Sequence, residues 1–480
     1  MCDQRKDYDS AEEYYRRAVE ADPNHANNLG NYANFLYDQR KDYDSAEEYY
    51  RRAVEADPNH ANHLENYAMF LEDQRKDYDK AEEYYRRAVE ADPKNAKQLG
   101  NYANFLCDQR KDYVRAEEYY QRSVEAGPQN ATQLGNYAVF LEEQQKDYDK
   151  AEEYYRRAVE ADPKHANNLG NYADFLWKQR KDYDKAEEYY RRAVKANPKD
   201  ATNLGNYAVF LKNQRKDYDK AEEYYRRAVE ADPKHANHLG NYATFLKNQR
   251  KDYDKAEEYY RRAVEADPKH ANNLGNYANF LYDQRKDYDR AEEYYRRAVE
   301  ADPKHATNLG NYANFLWKQR KNYDSAEEYY RRAVEADPKD ANNLGNYANF
   351  LCDQRKDYDR AEEYYRRAVD ADSNHANHLG NYANFLCDQR KDYDKAEEYY
   401  RRTVEADPKD ANHLGNYAIF LKNQRKDYDK AEEYYRRALQ IDPNHVNNLK
   451  NYAIFLKDIR HDAKAARKYR QRAEEQKAKE

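Results

Sequence analysis

The Tyr of the phrase "KDYD" falls at 8, 43, 78, 113, 148, 183, 218, 253, 288, 323, 358, 393 and 428, a period of 35 residues that never slips. Punctuation follows the same beat. Eleven of the 12 Gly stand at one place in the repeat, where Glu65 and Lys450 are the exceptions, and all 12 Pro stand at another, interrupted only by Ser373. A fixed period of this length means one array of short units, each unable to bury its own apolar surface, and excludes a set of separate globular domains.

Composition agrees once the repeat is seen. Charged residues make up 37% of the chain, and Leu, Ile, Val and Phe together well under a fifth, a balance found in disordered chains. Here 85 basic and 92 acidic side chains nearly cancel to a net charge of −7, and 55 Tyr supply apolar rings whose hydroxyls stay wet. An ordered chain with a polar surface is expected. The near-balance argues against a nucleic-acid partner, which calls for a basic excess. No apolar run reaches the ~18 residues of a membrane span, so no membrane partner is expected. The opening "MCDQRKDYDS" has no hydrophobic stretch of the signal-peptide kind, and the expected address is cytoplasmic.

Residues 26–60 serve as the specimen. Leu29, Tyr32, Ala33 and Leu36 form one helical stripe, and Ala46, Tyr50, Ala53 and Val54 a second. Between them Asp44 is the expected N-cap, with Glu47 as capping-box partner. Glu47–Arg51 and Glu48–Arg52 are expected i,i+4 pairs. Asp57-Pro58 ends the second helix. Each unit is therefore a helical hairpin whose two stripes need neighbouring hairpins to cover them.

The second helix, Ala46-x3-Tyr50-x2-Ala53-x4-Pro58 with Tyr43 before it, resembles the tetratricopeptide-repeat signature in residue type and spacing. The first helix, Leu29, Tyr32, Ala33 and Leu36, matches more loosely. The repeat is one residue longer than the family's 34, and the extra residue lies between Leu36 and Tyr43, where a longer first helix or a wider turn is expected. The resemblance covers about thirteen and a half units. It implies an all-α fold, an α-solenoid or right-handed superhelix of antiparallel helix pairs, with first helices lining the inner surface. The expected organisation is an N-terminal half-repeat over 1–25, the array over 26–460, and a degenerate C-terminal capping helix over 461–480.

A helical projection at about 100° per residue places Asn27, Asn31, Asn34 and Asp38 opposite Leu29, flanked by Gly30 and Tyr37. The residues that vary along the array are equivalents of Asn34, Tyr37 and Asp38, whereas the "EEYYRR" face stays nearly fixed. In the family that variable face is the ligand groove. One member of it never varies: Asn31, Asn66, Asn101, Asn136, Asn171, Asn206, Asn241, Asn276, Asn311, Asn346, Asn381, Asn416 and Asn451. A primary amide both donates and accepts, so a row of them can hold an extended chain by its backbone. Alternatively, each Asn bonds a neighbouring helix and fixes the stacking. Trp177 and Trp317, at the Tyr37 place, are the expected anchors. The Lys of a carboxylate clamp is replaced by Gly30 and its equivalents.

Other constellations point to no chemistry. Cys2, Cys107, Cys352 and Cys387 share the Tyr37 place, on first helices about 8–10 Å apart, beyond the ~7 Å limit for a disulfide; reduced, exposed thiols are expected. His60/His63, His235/His238 and His375/His378 straddle helix starts with nothing to complete a metal site, and exposed turn histidines are expected. No phosphate loop or nucleophile elbow occurs. The expectation is a non-enzymatic peptide-binding scaffold with no catalytic residue, metal or cofactor. Its partner would be a protein or peptide, and the alternative is end-to-end self-association into a filament. One joint should be soft: near 113–135, Val114 replaces the expected cap, Ser123 a packing Ala, and Gly127 the Asp before Pro128.

Overall fold

The computed structural model describes residues 7–478, and every regular element among them is helical. Two compact units divide between Pro233 and Lys234, and each is a stack of the same hairpin. In residues 26–60 the first helix is Ala26–Phe35 and the second Tyr43–Ala56. The expected widening joins them. Leu36–Arg40 continues the first helix as a single π-type turn, whose Leu36 carbonyl accepts the N–H groups of both Lys41 and Asp42. That turn absorbs the extra residue of the period. Its exit is left-handed, with Lys41 at φ 59°, a conformation costing an L-residue about 1–2 kcal/mol. In the last hairpin, helix Val446–Asp458 has no π turn, and His461 takes the left-handed place.

Both apolar stripes are buried as expected, but the first helix buries more than its stripe. All 13 Phe of the chain stand at the Phe35 place, and they are buried although they lie off the stripe. A first helix in a stack is covered from two sides, by its own second helix and by the preceding repeat's. Tyr67 shows this: its ring stacks on Tyr50 of the preceding repeat at 5.9 Å and tilts against its own Tyr84 at 4.7 Å. Phe70 meets Tyr50 at 5.4 Å. Such aromatic pairs add about 0.5–1.5 kcal/mol each beyond the area they bury.

The cap of the second helix is Asp42, not Asp44: its carboxylate accepts the Ser45 N–H at 3.2 Å. Both residues of "DYD" can cap, and the π turn ends at Arg40, so that Asp42 is the one standing just before the helix. Asp44 is freed for another task. Arg75, at the end of the next first helix, reaches back to Asp44 at 2.6 Å and Glu47 at 2.7 Å while lying over Phe70. Glu47 is thus spent between repeats rather than on Arg51, which pairs with Glu55 at 3.0 Å. Arg52 lies over the Tyr49 ring and donates to the Pro23 carbonyl. The same Arg staple joins Arg110 to Asp79 and Glu82, and Arg320 to Asp289 and Glu292.

Gly30 and its equivalents have ordinary helical φ, and their role is steric. The side chain at the Asn28 place of the following repeat lies against the bare Cα. A Cβ on Gly275 would come within 2.1 Å of Asn308 Oδ1. From there Asn308 Nδ2 donates to the Ala271 carbonyl of the preceding first helix at 3.0 Å, as Asn168 does to Ala131 at 2.8 Å. Glu65 breaks the rule together with its neighbours: Lys97 and Asn101 of the next repeat bind its buried carboxylate, and Gln98 turns to Asn62.

The helix that contains Val114 keeps its cap, because Asp112 accepts from the Arg115 N–H. Val114 is 83% exposed, and what it removes is the Asp44-place carboxylate of the staple. The partner arginine is replaced as well, and Gln145 makes a single bond to Glu117 at 3.2 Å. Ser123 is buried and satisfied, donating to the Ala96 carbonyl at 2.6 Å. Restoring both staple residues, Val114→Asp with Gln145→Arg, should strengthen this joint by about 0.5–1 kcal/mol, more than the two single changes added together. Amide exchange over the second helix Tyr113–Ala126 would report it; additive effects would mean the pair does not form.

Candidate functional site

Within each unit, successive first helices pack on one another more closely than successive second helices do, so the first helices occupy the inner side of the stack. The face they turn away from their partners carries the Asn31, Asn34, Tyr37 and Asp38 places.

The invariant amides are open. Asn66, Asn136, Asn171, Asn276, Asn311, Asn346, Asn381 and Asn416 are half-buried or exposed and make no side-chain hydrogen bond within the described residues. Two ladder members are engaged, each by an unusual acid: Asn101 donates to Glu65 at 2.7 Å and Asn206 to Asp174 at 3.2 Å. The stacking amide is the Asn28-place residue described above, which sequence reasoning did not single out.

Asn34 is partly structural. Its carbonyl accepts the buried Tyr50 hydroxyl at 2.6 Å, and Asn104, Asn279, Asn314, Asn349 and Asn384 serve Tyr120, Tyr295, Tyr330, Tyr365 and Tyr400 in the same way. At Met69 and Val139, where that place is apolar, a glutamate one turn on takes over; at Ile419 none does, and the buried Tyr435 hydroxyl has no partner among the described residues. Glu72 accepts from Tyr85 and Glu142 from Tyr155, both at 2.8 Å. Burial raises the pKa of both glutamates.

The Tyr37 place sits over the next repeat's Phe. Tyr37 meets Phe70 edge-on at 5.7 Å, Trp177 meets Phe210 at 5.6 Å and Trp317 meets Phe350 at 5.6 Å. Both Trp are half-buried, with Lys178 and Lys318 over their rings. Asp38 is exposed. Where Cys387 stands instead, a hollow of about 320 Å³ opens, lined by Phe420, Ile419, Asp388 and Asn416.

Cys107, Cys352 and Cys387 are buried rather than exposed, tucked under the following repeat, and burial pushes their thiols up to about 11. Cys2 lies outside the described residues. His63 and His378 are likewise buried and not exposed turn residues. Each fills the Asn28 place, over Gly30 and Gly345, and stacks on the capping-position His60 or His375 at 3.9 and 4.1 Å. No group of three or more His, Cys, Asp or Glu suited to a metal occurs among the described residues. No helix there is long and apolar enough to cross a membrane.

Family comparison gives tetratricopeptide-repeat matches along the chain. One such family matches residues 3–61, 33–96, 71–131, 141–201 and 278–341, a second 199–269, 234–304 and 374–444, and a third 342–375. The family described as TmcB, TPR repeats, matches 425–480. No curated protein matches. Among solved structures, yeast Tom70 is 16% identical with a TM-score of 0.42, over 88% of this chain and 97% of that one. Pseudomonas aeruginosa PilF is 23% identical at 0.39, over 45% and 96%. YrrB, described as a TPR protein with an unusual peptide-binding site, is 22% identical at 0.32, over 41% and 98%.

Two buried histidines should make the array acid-sensitive. Burial, then the neighbouring imidazole, lowers His63 and His378 from 6.5 to about 4. Both are neutral in the folded chain at pH 7, and the unfolded chain takes up protons first. Their cost is therefore absent above pH 6.5, grows as pH falls toward 4 and levels off below. Replacing both with Asn, the residue of neighbouring repeats, should leave the urea midpoint at pH 7.5 little changed and raise it at pH 4.5. Equal shifts at both pH values would refute the assignment.

Proposed function

The chain belongs to the tetratricopeptide-repeat family, whose members serve as protein-interaction scaffolds, and on that premise we propose that it is a non-catalytic scaffold binding an extended peptide segment along its first-helix face. The observation that carries this reading is the row of open amides. A primary amide facing solvent offers one acceptor and two donors, the complement of the N–H and C=O of one residue of an extended chain, which face the same side. Neighbouring first helices stand about 8–10 Å apart, the span of about three residues of extended chain at ~3.3 Å each. A bound segment with three residues per turn and ~3.1 Å rise would bring the same side of its backbone to each ladder amide in turn, and the grip is indifferent to sequence. Selection among side chains falls to the Tyr37 and Asp38 places, with Trp177 and Trp317 as aromatic anchors, and to the amide nitrogen that Asn34 keeps free.

Stacking rests on the aromatic contacts, with the Asn28 place and the Arg staple fixing their register, which leaves the ladder dispensable for folding. Replacing Asn66, Asn136, Asn171, Asn276, Asn311 and Asn416 with Ala should leave the melting temperature within a few degrees of the parent. The same variant should lose affinity at least tenfold for peptides selected by display on the parent array. Undiminished affinity would refute the ladder, and failure of the parent to select any peptide would refute the scaffold reading.

A further inference from the structure

In the second unit a hollow of about 320 Å³ lies on the first-helix face, walled by amides, among them Asn342, Asn346, Asn349 and Asn381, and by the imidazoles of His375 and His378. No charged side chain lines it, in a chain of which 37% is charged. His378 is 7% exposed, and its Nε2 has no hydrogen-bond partner; neither has Nδ1 of His375. A buried polar atom left unpaired is costly, so an atom that completes it is strongly favoured.

The first unit contains the same set of residues: Asn27, Asn31, Asn34, His60, His63 and Asn66 stand where Asn342, Asn346, Asn349, His375, His378 and Asn381 stand in the second. There the imidazole is satisfied. His63 Nε2 lies 3.0 Å from Asn27 Oδ1. A carboxamide group therefore fits this nitrogen sterically and chemically. At the second site the counterpart Asn342 does not reach it, and Asp340 accepts the Asn342 backbone N–H at 2.9 Å.

Ligand chemistry follows from the walls. The imidazole is neutral at pH 7, so each ring nitrogen either donates or accepts, and the surrounding amides do both. A carboxylate would find no cation in the lining, and an ammonium or guanidinium no anion. A neutral group with a donor and an acceptor at one end matches. Resting on the peptide reading above, we propose that this hollow is a subsite for the carboxamide side chain of a Gln or Asn in the bound segment, which takes the place on His378 Nε2 that Asn27 takes on His63.

The test is a titration of the full chain, labelled with nitrogen-15 at histidine, with the N-acetyl, N-methylamide derivative of glutamine. The glutamate and lysine derivatives are the comparators. The glutamine compound should shift the His378 ring nitrogens saturably at millimolar concentration, and the comparators should not. His378→Asn, which installs the residue of neighbouring repeats, identifies the signal by deleting it. Asn342→Ala should retain or strengthen the response. No shift, equal shifts from all three compounds, or loss of the response in Asn342→Ala would overturn the proposal. The titration uses no captured peptide and no ladder residue altered above. A failed ladder therefore leaves it interpretable, and a failed titration leaves the ladder standing.

Discussion

Everything in this fold depends on covering each first helix from two sides. A single hairpin leaves the rings of Tyr67 and Phe70 half-bare, and the preceding repeat's Tyr50 closes them. Because the same rings recur at every joint, stability is a chain of nearest-neighbour terms rather than one central core. Chemically distinct locks surround the aromatic contact. The Arg75 staple ties the outer edge through Asp44 and Glu47, and the Asn28-place amide ties the inner edge to the preceding helix, over a glycine. The staple is partly exposed and worth at most about 1 kcal/mol per pair. The apolar contact therefore supplies the bulk of each interface, and the polar locks fix its register.

Much of this was legible in the sequence because periodic burial leaves periodic letters. The stripes through Leu29 and Ala46, the break before Tyr43 and the stop at Pro58 all stand where expected. Phe35 escaped notice because a one-stripe projection assumes one buried face, whereas stacking buries two; its occurrence at a single place in all 13 copies was the available signal. The cap was misplaced by two residues because either Asp of "DYD" can accept a backbone N–H. Only the π turn decides between them, and no residue type marks a π turn.

The site was less legible, for a different reason. Position on a helical projection says which way a side chain points but not whether another side chain already occupies it. Asn34 points toward the inner face and still spends its carbonyl on the Tyr50 hydroxyl. The thiol of Cys387 points the same way and is buried by the next repeat. In both cases the covering group lies about 16 or 35 residues away and belongs to a different element, so no local pattern could reveal it.

The exceptions to the repeat bear on its invariant letters. Met69 and Val139 remove the acceptor for a buried tyrosine hydroxyl, and both come with a glutamate that replaces it, Glu72 and Glu142. Val114 removes one side of the staple, and Gln145 removes the charge that would have been stranded on the other. Glu65 replaces a packing glycine in company with Lys97 and Gln98. At these joints the copies have diverged at positions that bond to one another, whereas Ile419 comes with Lys422 and leaves the buried Tyr435 hydroxyl without a partner among the described residues. Asn66, Asn136 and Asn276 make no side-chain hydrogen bond among the described residues, and yet their place is Asn in every copy. In those copies no such bond holds the place to Asn, although Asn101 and Asn206 are engaged by Glu65 and Asp174. The constancy of that place beside neighbours that have changed is what the proposed grip on a bound backbone would impose.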